Sequence, residues 1–124
     1  MKIAVVAANG REGQLVVKEA VERGHDVTAV VRGDNKSVAT NVVVKDALDL
    51  IAADLAGFDA VVDAVGAWTE ETLPAIPNTA KHLADVLAGT DVRTISVRFW
   101  RIGHPERKTH TLVVRFTRNG QLNR

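Results

Sequence analysis

The sequence predicts an α/β fold, a parallel sheet with helices on both faces, on three observations. Short apolar runs rich in β-branched residues alternate with stretches whose apolar residues recur at helical spacing. Glycines at Gly24, Gly57 and Gly89 follow the helical stretches as natural stops. A turn containing Gly10 and Gly13 leads from the first strand directly into the first helix. Strands that alternate with helices call for right-handed crossovers, which gives a parallel sheet of order 3-2-1-4-5. The 124 residues suffice for one domain with a real core.

The first strand is residues 2–7 (KIAVVA), and it stops at the turn 8–13 (ANGREG). Residues 14–23 carry Leu15, Val16, Ala20 and Val21 at helical spacing, and 25–31 (HDVTAVV) are extended again, ending at Arg32. The polar stretch 33–40 (GDNKSVAT) is a loop or one poor helical turn in place of a crossover helix. Residues 41–45 (NVVVK) form a third strand followed by Asp46, and 47–55 offer Leu48, Ile51, Ala52 and Leu55 as the apolar face of a helix. Residues 59–65 (DAVVDAV) are a fourth strand closed by Gly66. With Pro74 and Pro77 near its start, a helix through 79–87 presents Ala80, Leu83, Ala84 and Leu87, and 92–97 are the fifth strand. Beyond Val97 the pattern breaks. Arg98, Phe99, Trp100 and Arg101 interleave cationic and aromatic residues, and 109–117 (THTLVVRFT) read as a sixth strand before the turn signal Asn119-Gly120.

The turn between the first strand and first helix carries the chemistry. Gly10 lets the backbone come close to a pyrophosphate, Gly13 leaves room for the helix to pack on the sheet, and the helix N-terminus supplies N–H groups and partial positive charge. A turn of this kind also caps helices in any α/β protein; strand before and helix after are what point to a dinucleotide. A Gly-x-x-Gly-x-x-Gly spacing laid on 7–13 finds Ala7 at the first glycine, with Asn9 beside Gly10, and alanine suits that position only at negative φ. Glu12 suits the helix dipole but repels a phosphate, so it is expected to point away, with Arg11 the better phosphate neighbour. Arg32 stands where the adenosine ribose lies. An acidic residue there would bond the 2′-OH, whereas arginine meets a 2′-phosphate, so NADP(H) is favoured over NAD(H), with Asp34 keeping NAD(H) open.

These residues, with LVVKEAVERGHDVTAVVR, VVVKDALD, FDAVVDAVGAW and KHLADVLAGTDVR, resemble the atypical short-chain dehydrogenases, the NAD(P)H-binding, NADH-flavin reductase-like proteins, over about residues 1–97. The resemblance is shared with NAD-dependent epimerase/dehydratase-like proteins. It implies a Rossmann-type sheet that binds a nicotinamide dinucleotide along the C-terminal strand edge, with Asp46 and Ala47 as an adenine-contacting pair and Ala64, Val65 and Gly66 passing the nicotinamide ribose. Asp46 is equally a helix N-cap, and Gly66 equally a plain strand end. The implied reaction is hydride transfer to a flavin or quinone-like acceptor. The Tyr-x-x-x-Lys relay of better-known members is excluded because the chain contains no tyrosine.

No catalytic residue is assigned. Neither Ser37 nor Ser96 has a histidine placed as its base, His82 reads as packing, and His104 and His110 lack the carboxylates or thiols of a metal site. The absence of cysteine excludes disulfides and thiolate chemistry. No apolar run approaches a signal or membrane segment, so a cytoplasmic protein with no membrane partner is expected.

The net charge of +1 conceals an asymmetry: residues 1–93 hold 9 Lys+Arg against 14 Asp+Glu, and residues 94–124 hold 7 against 1. The expected division is an incomplete dinucleotide-binding domain over 1–97 and a basic tail over 98–124. The resembled family continues with a Val-Gly-Gly-x-Gly-Ser-Leu type segment. Codons CGG-TTC-TGG for Arg98-Phe99-Trp100, moved forward one base, read Gly-Ser-Gly, so a shifted reading frame is expected from about Arg98. A domain cut there exposes the edge of its fifth strand and tends to self-associate unless 109–117 pair in as a substitute. Two other classes of function compete. One is a binding module that holds the dinucleotide without turnover. The other is a nucleic-acid binder using Arg98, Arg101, Arg107, Lys108, Arg115 and Arg118 with Trp100, a weaker reading because basic termini are mostly solvated charge.

Overall fold

The computed structural model describes residues 1–66, 71, 74–101, 110–118 and 121–123, with side chains described as far as Val97. The described strands are β1 (Lys2–Val6), β2 (Asp26–Val31), β3 (Asn41–Val44), β4 (Ala60–Asp63), β5 (Arg93–Arg101), β6 (His110–Arg118) and β7 (Gln121–Asn123). The helices are α1 (Arg11–Glu22), α2 (Ala52–Leu55) and α3 (Ala75–Leu87), with a 3-10 turn at Ala47–Asp49. All seven strands lie in one sheet of order β3-β2-β1-β4-β5-β6-β7. The first five are parallel in the predicted order 3-2-1-4-5, with Val5 opposite Ala29 on one side and Val62 on the other. β6 then runs antiparallel along β5 from Arg93↔Arg118 to Arg101↔His110, and β7 pairs antiparallel with β6. The far edge of β5 is therefore covered by the substitute strand. The Asn119-Gly120 turn signal lies outside the described residues.

Side chains alternate across a strand, so each central strand feeds two cores. Ile3, Val5, Val27, Ala29, Val31, Val62 and Val97 pack under Val17 and Ala20 of α1. On the opposite face Ala4, Val6, Val30 and Val61 pack against Leu50, Leu55 and, from α3, Leu83 and Leu87. Burial on both faces is why these strands read as continuous apolar runs.

Two helical stretches depart from their expected faces. In α1 the buried seam is Gly13, Val17 and Ala20, whereas Leu15 and Val21 are exposed. The close approach at Gly13 decides this: a Cβ there would collide with the Ala7 carbonyl oxygen and come within 2.8 Å of Ala8 Cα, so Gly13 must face the sheet and Leu15 turns outward. The helix ends where Gly24 adopts φ +83, with His25 N–H bonded to Ala20 O at 3.1 Å. The single helix expected over 47–55 is instead the 3-10 turn, an extended Leu50 and the short α2. The Asp46 carboxylate accepts from Leu48 N–H at 3.0 Å and closes the first turn, and the Asp54 carboxylate accepts from Ile51 N–H at 2.9 Å and starts the second. Leu50 between them enters the core, and Leu48 and Ile51 are left exposed. In α3, by contrast, Leu83 and Leu87 are buried as expected, joined by Thr79.

Residues 33–40 form a loop, not a helical turn, held by its own side chains. Asn35 Oδ1 accepts from Ser37 N–H and Oγ–H, and Asn35 Nδ2 donates to Ala39 O at 2.9 Å. With no helix between β2 and β3, Val44 stays 65% exposed on the α1 side of the sheet. Among the described residues no helix is long and apolar enough to cross a membrane.

Candidate functional site

β1 lies between β2 and β4, and the chain leaves it by α1 on one face and reaches β4 from elements on the other. The C-terminal ends of β1 and β4 therefore flank a crevice where the connections diverge, the position at which open parallel sheets bind ligands. At the end of β1, Ala7 turns to φ +64, the only positive φ of a non-glycine residue among those described. The expectation of a negative φ at Ala7 is thus corrected. The turn needs the left-handed conformation to aim Gly10 N–H at the Ala7 carbonyl, a hydrogen bond of 3.1 Å. α1 then begins at Arg11 with Gly10 as its N-cap, and no side chain caps it. Its first N–H groups and the dipole's positive end face the crevice mouth. Gly10 itself is exposed, and a Cβ there would meet only the Ala7 carbonyl oxygen, at 3.4 Å.

Asn9 ties this turn to the loop after β2. Its Nδ2 donates to Asp34 O and its Oδ1 accepts from Lys36 N–H, both at 2.7 Å, while its carbonyl accepts from Gln14 Nε2 at 2.7 Å. The side-chain amide is committed to positioning, and it draws the segment bearing Arg32 and Lys36 to the turn. Lys36, the one cation of the 33–40 loop, takes part through its backbone N–H, a bond that sequence reading had not anticipated. Arg32 follows β2 directly and is exposed. Next along the edge, Lys45 Nζ donates to Asp54 at 2.7 Å. That bond, with the Ile51 N–H, holds the Asp54 carboxyl below its usual range. Asp46 caps the 3-10 turn with Ala47 at its start, so the N-cap role is realised at the position assigned to adenine contact.

On the other side of the crevice Ala64 is buried, its N–H bonded to Val6 O at 3.1 Å, Val65 is half-buried and Gly66 is exposed. Asp63, passed over in sequence reading as part of an apolar strand, is fully buried and accepts from Val65 N–H at 3.1 Å, which fixes the strand end. Glu12 does not point away. It is buried, and its Oε2 faces Gly66 across the crevice, 3.8 Å from where a Cβ on that glycine would stand. Arg11 beside it is exposed. His82 serves packing, Nε2 donating to Leu50 O at 2.8 Å. The site thus gathers Ala7, Asn9, Gly10, Arg11, Glu12 and Gly13 opposite Ala64, Val65 and Gly66, with Arg32, Asp46 and Ala47 along the same sheet edge.

Residues 7–119 match the model of the NAD(P)H-binding family. The chain belongs to that family. Its NAD(P)H-binding fold is shared with SP1627 from Streptococcus pneumoniae, which carries the name NADH-flavin reductase: TM-score 0.75, 49% identity, 78% of this chain and 46% of that one. Lmo0794 from Listeria monocytogenes is similar at TM-score 0.66 and 38% identity, over 76% of this chain and 57% of its own. YwnB of Bacillus subtilis is 46% identical over 69 residues, 54% of this chain and 32% of YwnB. The chain therefore spans about a third to somewhat over half of the relatives it matches.

Proposed function

We propose that the chain binds a nicotinamide dinucleotide across the β1–β4 crevice, prefers NADP(H), and serves as the cofactor-binding part of an oxidoreductase with a flavin or quinone-like acceptor. The observation that carries this reading is the uncapped N-terminus of α1 opening on a turn whose exposed Gly10 leaves the backbone bare, while Gly13 lets the helix start pack directly on Ala7 and Ala8. The pyrophosphate lies on the N–H groups of Arg11, Glu12 and Gly13. The adenosine extends over β2 and β3 toward Arg32, Asp46 and Ala47, and the nicotinamide ribose passes Ala64, Val65 and Gly66. Asn9 holds the Arg32 loop against the turn. When bound, the cofactor supplies the hydride; the protein supplies position and electrostatics. The name of SP1627 supports the acceptor class.

Titration of the full chain with NADPH and NADH tests this. One charge-assisted hydrogen bond from Arg32 to the 2′-phosphate contributes about 1.5–3 kcal/mol, a preference of at least about tenfold. Arg32→Ala should abolish that preference. Equal affinities in the unmodified chain refute the NADP(H) assignment, and no binding of either refutes the site. Binding without oxidation of NADPH in the presence of a flavin or quinone identifies the non-catalytic module.

A further inference from the structure

We propose that Glu12 makes this site select the oxidised, positively charged nicotinamide over the reduced, neutral one. The proposal rests on the dinucleotide reading above. Glu12 is the second residue of α1 and is 8% exposed as a residue, yet its unpartnered carboxylate oxygens reach solvent, since no buried side-chain oxygen among the described residues lacks a partner. Among the described residues no hydrogen bond or ion pair engages its carboxylate. That charge is therefore not spent on holding the fold.

Its direction comes from Gly66: Oε2 stands 3.8 Å from the position of a Cβ on that glycine. Gly66 follows β4, which borders β1 on the side away from β2 and β3. A dinucleotide with its pyrophosphate on α1 and its adenosine over β2 and β3 carries the nicotinamide to the β4 side, toward the carboxylate. The phosphates bear the same charge in both redox forms, so their repulsion by Glu12 weakens both forms alike. Attraction for the ring acts on the oxidised form alone, because only that ring is a cation. A carboxylate several ångströms from the ring in a partly solvated crevice gives a selectivity of about five- to tenfold. By linkage, tighter binding of the oxidised form makes the bound couple more reducing, which favours hydride donation.

Glu12→Gln keeps the shape and an acceptor oxygen and removes the charge. Calorimetric titration of the full chain with NADP⁺ and with NADPH, on wild type and Glu12→Gln, reads the ratio of the two affinities, and thermal melts check folding. The expected result is a five- to tenfold loss of preference for NADP⁺ in the variant, with NADPH bound as well as before or better. Should Glu12→Gln melt early, Glu12→Ala is measured on the same pair of ligands with the same expectation. An equal change in both affinities, or an unchanged ratio, overturns the proposal and leaves the dinucleotide site standing. Failure of the wild type to bind either form overturns both.

Discussion

Replacing Ala7 by glycine should stabilise the protein, although the change deletes a methyl group next to the core. Ala7 sits at φ +64, where the Cβ of an L-residue crowds the following carbonyl at a cost of about 1–2 kcal/mol. Glycine removes that cost. It returns about 0.5–1 kcal/mol through the greater freedom of the unfolded chain, and the half-buried methyl is worth about 0.4 kcal/mol. The net gain is small, about 0.5 kcal/mol, so the neighbouring alanine provides the reference. Ala8 is fully buried and has no positive φ to relieve, so Ala8→Gly should lower stability by about 1.5 kcal/mol from the same entropy and a whole methyl. The two identical substitutions should differ by about 2 kcal/mol. Urea denaturation read by circular dichroism measures both, provided the slopes are unchanged. Equal destabilisation by the two would refute the strain at Ala7, and with it the turn geometry that aims Gly10 at the crevice.

Two further predictions concern the site and the tail. Gly10→Val should abolish dinucleotide binding with native circular dichroism retained: Gly10 is exposed at φ −68 and ψ 166, which valine tolerates, but the branched side chain fills the pyrophosphate's space. Unchanged binding would mean the site is misplaced. Sequencing the gene across codons 93–124 should show codons for Arg98-Phe99-Trp100 that read Gly-Ser-Gly when shifted by one base; codons that give no such segment in the shifted frame refute that origin for the basic tail.

The sequence by itself determined the order of elements, the parallel order 3-2-1-4-5 and the place of the glycine turn between β1 and α1. These follow from local pattern: the apolar centres of the runs 2–7 and 59–65 must be buried on both faces, and a strand, glycine turn and helix admit one handed arrangement. It also showed that 109–117 suit a strand. What the tertiary structure decided are features set by contacts between distant segments. Periodicity favoured Leu15 and Val21 for the core of α1, but the approach of Gly13 to Ala7 and Ala8 rotated the helix and buried Val17 instead. Helical spacing in 47–55 was overridden by two carboxylates, Asp46 and Asp54, that close separate turns around Leu50. Asn9 is bonded through its side chain to residues 34 and 36, which only folding brings near. The burial of Glu12 opposite Gly66 has no local signature at all. It arises because β1 and β4, 57 positions apart at Ile3↔Ala60, lie side by side and end at one edge, so that a charge on α1 meets the end of β4.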